Sequence, residues 1–157
     1  MNTAQKKRHV LLARPSIFIV NEMGPFVTQS GYNPRGIKNL AHLDKIPDDA
    51  LGGAVISTAI NSVVPEGYEE VVVLMRRKYP TLPIALATLV DFEHIYKALR
   101  LKLCERNNVV EDFIDIGNVS PTTQLDPAKQ MLVIHKKHID TDINRAKASQ
   151  ILKNFFR

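Results

Sequence analysis

His135 and His138 stand three residues apart, with Asp140 close behind them. On a helix, that spacing can aim two imidazoles and a carboxylate at one metal ion. Lys136 and Lys137 lie between the histidines and oppose a cation, and no supporting set of ligands is evident, so no metal site is expected. Asp140-Thr141-Asp142 has the acidity of a nucleotide–metal segment, but its simpler role is to cap the helix that follows. Gly52-Gly53 is not a phosphate loop, because no Gly-Lys-Ser/Thr pattern follows it, and no Gly-x-Ser-x-Gly elbow exists. Cys104, the only cysteine, lies beside an apolar helix face and reads as a packing residue rather than a nucleophile. A lone cysteine makes no internal disulfide, which suits a cytoplasmic chain. Four polar side chains remain, each close behind an apolar run: Arg14, Asn61, Thr88 and Asn118. If those runs are parallel strands, the four line the carboxyl edge of one sheet, where open α/β sheets bind ligands.

The elements that would position them follow from the apolar pattern. His9–Ala13 is a first strand, and 17–28 has helical spacing that Gly24-Pro25 should kink or split. Gly31-Tyr32 is a turn. Ile37–Leu43 is a candidate second strand, Asp44–Leu51 a short second helix, and Ala54–Ile60 a third strand after the Gly52-Gly53 break. The clearest stretch is 67–88. Glu69 and Glu70 open a helix and Arg76, Arg77 and Lys78 close it, the charge order that a helix dipole favours. Tyr79-Pro80 stops that helix, and Pro83 opens a buried run, Ile84–Leu86, ending in Ala87-Thr88. Asp91 caps a helix whose apolar face carries Phe92, Ile95, Tyr96, Leu99 and Leu103, with Glu93 and Lys97 spaced to pair. A fifth strand falls at Phe113–Ile116, and 142–156 reads as a terminal helix. The segment 119–140 is irregular: Asp126-Pro127 can start a helix, and Met131–Ile134 can equally be a strand. This order predicts a doubly wound, five-stranded parallel sheet, flavodoxin-like in class, with an extended C-terminal helical tail. One domain over 9–157 is expected, after a flexible lead-in over 1–8.

The 67–88 stretch resembles the third helix and fourth strand of two-component receiver domains, the CheY-like fold of response regulators. Those share a basic pair, Tyr-Pro, Leu-Pro, and an apolar strand ending in Ser or Thr, here Thr88. The Gly-Tyr that ends the first helix also resembles the family, and the likeness covers roughly residues 8 to 118. The resemblance implies a phosphorylation pocket. Two acids after the first strand hold Mg²⁺, an Asp ending the third strand takes the phosphoryl group, and a Lys follows the fifth strand; the cations offset transition-state charge. On this chain the acidic pair falls on Arg14 and Pro15, the acceptor on Ile60 or Asn61, and the lysine near Ile116 or Gly117. Only Thr88 survives. Phe113 falls where receivers carry a switching aromatic, but with the partner chemistry gone, core packing in the fifth strand is the preferred reading. Arg14 either replaces the metal as a fixed cation, binds a small anion with Thr88, or pairs with a carboxylate such as Glu22.

The expectation is therefore a degenerate pseudo-receiver that is not an enzyme and needs no cofactor. It would act as a protein-interaction or homodimerisation module in bacterial signalling or transcriptional regulation. The interaction face that the resemblance implies carries Tyr96, Lys97, Arg100 and Leu101, with the polar tail from Lys136 onward. The alternative is a small-ligand or nucleotide-binding protein on the same fold. Nucleic acid is less favoured: the net charge is +5, but the basic residues are dispersed and no tryptophan is present for base stacking. No apolar stretch reaches bilayer-spanning length.

Overall fold

Apolar residues of the inner strands alternate between two faces, and this decides the architecture. In a computed structural model that describes residues 9–14, 19–46, 50–59, 62, 64, 66–109 and 111–156, six parallel strands form one sheet in the order β2-β1-β3-β4-β6-β5. They are β1 (His9–Ala13), β2 (Asn33–Gly36), β3 (Leu51–Ser57), β4 (Ile84–Thr88), β5 (Asp112–Asp115) and β6 (Gln130–His135). Leu11, Ala54, Ile56, Ile84, Leu86 and Val133 point to one face, under α2 (Tyr68–Lys78) and α3 (Phe92–Leu99). Val10, Leu12, Val55, Ala85, Leu132 and Ile134 point to the other, under α1 (Gly24–Gln29) and α4 (Asp142–Phe155). A sheet covered on both faces explains why its central strands are apolar throughout. No helix among the described residues is long and apolar enough to cross a membrane.

Several expected elements stand where the sequence placed them. The helix over 68–78 and the strand over 84–88 match, and Tyr79 accepts the stop signal of Pro80 as the C-cap of α2. The first helix is split as Gly24-Pro25 required: a π-helical turn, Ile19–Met23, leads into α1 with Pro25 in its first turn. Thr141 caps α4, its hydroxyl accepting the Asn144 amide.

Other expectations are corrected. The second strand is Asn33–Gly36 rather than 37–43, and a 3₁₀ turn at Leu40–Lys45 replaces the short second helix, seating Leu43 in the core. Pro34 can sit in β2 because that strand is an edge. Gly52-Gly53 does not break the chain; both lie inside β3. Gly53 is required because a Cβ there would lie 2.8 Å from ring carbons of Phe156, itself buried against Tyr32. Asp91 is the N-cap of α3, but its side chain accepts no capping bond. The Glu93–Lys97 pair is not among the ion pairs of the described residues. Residues 127–129 turn rather than starting a helix.

The largest correction is the sheet. It has six strands, not five, and 119–140 is not irregular throughout, since it contains β6. The chain leaves β4 over α3, passes one strand position, and lays β5 at the far edge. It returns through residues 116–129 across the opposite face, where Val119 and Leu125 pack, and inserts β6 beside β4. Reversing direction while changing face keeps the connection right-handed. Asp112 and Asp115 put charge on the resulting edge strand, which discourages edge-to-edge pairing.

Candidate functional site at the carboxyl edge of the sheet

Strand order and register set the ends of β1, β3, β4 and β6 side by side. Ala13 pairs with Ile56, Ser57 with Ala87, and Thr88 with His135. Arg14, Ser57-Thr58, Thr88 and His135-Lys136 therefore share one edge.

Arg14 is the residue immediately after β1, and its backbone is left-handed, with φ 61°. Its side chain is not a surface arginine paired with Glu22: the residue is only 3% exposed. Nε donates to the Glu66 carbonyl at 2.9 Å, and Nη1 donates to the carbonyls of Ser57 at 2.8 Å and Ala59 at 2.6 Å. The guanidinium thus ties the end of β3 to the segment that enters α2. Burial lowers its pKa from the ordinary value, while Glu69 and Tyr68 pull it back up. An arginine remains charged through such a shift.

The hydroxyls beside it serve the backbone. Ser57 Oγ accepts the Ala59 amide at 3.1 Å, and Thr58 donates its amide to the Ala87 carbonyl at 3.0 Å. Thr88, 2% exposed, accepts the Val90 amide at 3.0 Å, which organises the turn into α3 that the Asp91 side chain leaves uncapped. At the end of β6, Lys136 Nζ lies 3.4 Å from Glu22 Oε1. Glu22 is thus taken by Lys136, not by Arg14.

Comparison with known proteins bears on this edge. No family model and no curated protein matches the sequence. Among solved structures the chain is similar to the response regulator DrrB, an OmpR/PhoB homologue of Thermotoga maritima, with a TM-score of 0.54 and 9% identity, over 94% of this chain and 53% of that one. This chain has the receiver fold. It is also matched by the beryllofluoride-activated NtrC4 receiver domain dimer, with a TM-score of 0.45 and 17% identity, over 61% of this chain and 78% of that one. The chain spans about half the length of DrrB.

Receivers belong to the doubly wound class ordered 2-1-3-4-5. The first four places here agree, and the fifth is filled by β6, with β5 added outside it. That changes which residues stand at the pocket. The fifth-place strand ends in His135 followed by Lys136, so a lysine is present after all, and Ile116 is not at its position. Ile116 is buried beyond β5 against the α4 face, and Asn118 lies in the same 3₁₀ turn, away from Arg14 and Thr88 in strand order. The third strand ends at Ser57 and is followed by Thr58, so these residues, rather than Ile60 or Asn61, stand at its carboxyl end. Pro15, Ile60 and Asn61, like the lead-in over 1–8, lie outside the described residues. Phe113 sits on the outermost strand, 3% exposed, with Tyr96 edge-on at 6.3 Å, which makes it a core aromatic one strand away from the expected switch position.

In sequence, the only signal for Lys136 is that His135-Lys136 follow the apolar run 131–134; its place at the edge depends on the pairing of β6 with β4, which sequence order does not encode. The His135–His138 pair is also explained locally. His135 Nδ1 accepts the Lys137 amide and His138 Nδ1 accepts the His135 amide, a reciprocal cap of the 3₁₀ turn Lys136–His138. No cluster of three metal-ligating side chains occurs among the described residues.

On the interaction face, Lys97, Arg100 and Leu101 are exposed, whereas Tyr96 is turned partly inward against Phe92 and Phe113. Beyond α3 the helix continues as a π turn, Arg100–Glu105, that buries Leu103.

Proposed function

We propose that the chain is a pseudo-receiver, a cytoplasmic signalling or regulatory module that carries no phosphoryl group and works by binding protein. The supporting observation is the Arg14 guanidinium, held by three main-chain carbonyls where a receiver places the acids that hold Mg²⁺. A fixed cation there organises the loop as the metal would, and it repels a divalent ion. Ser57 and Thr58 offer no carboxylate to form an acyl phosphate. Thr88 and Lys136 remain, but with their polar atoms engaged by Val90 and Glu22 they act as local structure.

An amide-resolved NMR titration with Mg²⁺ and beryllofluoride tests this. The expected result is no concerted shift at Arg14, Ser57, Thr58, Thr88 and Lys136. A concerted, saturable shift of these amides returns the chain to the phosphorylatable class.

The partner is a second copy of this chain or another protein, docked on the face carrying Lys97, Arg100 and Leu101; Leu101 is 43% exposed there. Sedimentation velocity across a concentration series should reveal self-association that Leu101→Glu weakens. A wild-type chain that stays monomeric at high concentration and retains no protein partner defeats the interaction reading without touching the phosphorylation reading.

A further inference from the structure

A cleft of about 380 Å³ opens beyond the ends of β5 and β6, away from Arg14. Its floor is apolar, built from Ile116, Ala148 and Ile151, and its wall carries Lys137, His138, Asn144 and Lys147. The volume lies within the range of small-ligand sites. No carboxylate lies within ion-pair distance of Lys137 or Lys147 among the described residues. Two acids act on His138, Asp115 and Asp140; Asp115 is already committed, its Oδ1 accepting the Gly117 amide at 3.0 Å and lying 3.6 Å from His138 Nε2.

The shape of the wall is maintained by specific bonds. Asn144 donates to the Lys137 carbonyl at 3.0 Å, which fixes the start of α4 against the 3₁₀ turn. His138 is anchored through Nδ1, so Nε2 is the nitrogen that faces Gly117 and Asp115. A Cβ at residue 117 would lie 2.9 Å from His138 Nε2, so the glycine leaves the imidazole its place at the cleft. Two lysines lining a cleft with apolar residues, neither in an ion pair among the described residues, match a ligand with an anionic head and a compact apolar body.

We propose that this cleft binds a small organic anion, a phosphate or carboxylate carried on an apolar group, with Lys137 and Lys147 as the cationic partners. The cleft shares no lining residue with the Arg14 cluster, so the proposal stands or falls independently of the pseudo-receiver reading.

The test uses the full chain, about 0.15 M salt, and phenyl phosphate, benzoate and inorganic phosphate as probes, followed by amide shifts. Phenyl phosphate or benzoate should produce saturable shifts at Gly117, Lys137, His138, Asn144 and Lys147, more tightly than inorganic phosphate. The double variant Lys137→Ala/Lys147→Ala should bind about tenfold more weakly. The charge-matched control Lys129→Ala/Lys153→Ala should bind as the wild type does. Phenyl phosphate tighter than benzoate assigns a phosphate head, and the reverse order assigns a carboxylate. The proposal is overturned if the shifts do not saturate, if both double variants weaken equally, or if inorganic phosphate binds as tightly as the organic anions. Retained amide dispersion in the double variants separates loss of binding from loss of fold.

Discussion

Arg14→Ala should destabilise the protein by about 3–5 kcal/mol, as three carbonyls each lose a charged donor whose hydrogen bond contributes about 1.5–3 kcal/mol before relaxation. The residue is 3% exposed, so water does not replace the lost donors without opening the loop. The acceptors lie on two segments, Ser57 and Ala59 after β3 and Glu66 before α2, so the whole β3–α2 connection should loosen with them. Two further variants separate the side chain from the backbone. Arg14→Lys keeps the charge but not the planar fork, and should recover less than half of the loss. Arg14→Gly also lacks the side chain, yet it relieves the left-handed φ of 61°, and should be about 1 kcal/mol more stable than the alanine variant. Urea denaturation of the three variants checks the series. An alanine variant as stable as the wild type would show that the guanidinium is incidental, and would remove the support for its metal-replacing role.

A comparable loss, about 3–5 kcal/mol, is expected for Arg76→Ala. Arg76 closes α2 and pairs with Glu111 at 2.6 Å, while its Nη1 donates to the Leu82 carbonyl at 2.8 Å. Glu111 is 6% exposed. Burial pushes its carboxyl pKa up from 4.5, Arg76 pulls it down, and Asp126 adds a smaller upward push. Deleting Arg76 leaves a buried carboxylate without its cation. A raised folded pKa means that the folded state holds its proton more tightly than the unfolded state. Stability from this group is therefore fully present below the unfolded value of 4.5 and declines as pH rises through the folded pKa. Removing Arg76 raises that folded pKa further, so the variant's deficit should grow from acidic to neutral pH. The apolar pair Arg76→Met/Glu111→Leu should recover most of the loss, because well-packed apolar side chains replace a buried ion pair at little cost. Denaturation midpoints at acidic and neutral pH, combined in a double-mutant cycle, give the coupling. Additive single variants with no pH dependence would show that the two side chains do not depend on each other.

These two arginines mark where the sequence stopped being informative. Arg76 was legible as one of three basic residues at a helix end, where the dipole favours them. Its ion pair with Glu111, 35 residues later, was not legible, because no local pattern encodes that contact. Arg14 was legible as a cation replacing an acid at the end of the first strand. Its burial was not, since it depends on where the β3–α2 segment runs and on an unusual φ. Gly53 carried the signal of a chain break, and only the Phe156 ring packed against it explains the glycine.

By itself the sequence determined the local elements with strong punctuation: β1, the split first helix, α2 with its charge order and Tyr-Pro stop, β4, the apolar stripe of α3, and the cap of α4. It also determined that no carboxylate stands at residue 14, because side-chain identity needs no fold. Tertiary structure decided the spatial order of the last two strands. An apolar run at 131–134 carries the same signal whether it is an edge, a centre or a buried loop, and only burial on both faces beside β4 selects its place. That choice moved the lysine of the edge from near Ile116 to Lys136, sent Phe113 to the rim, and brought Lys137 and Lys147 together over one cleft. Hydrophobic periodicity reports which way a residue faces; it carries no information about which neighbour an element pairs with, and the site depends on the pairing.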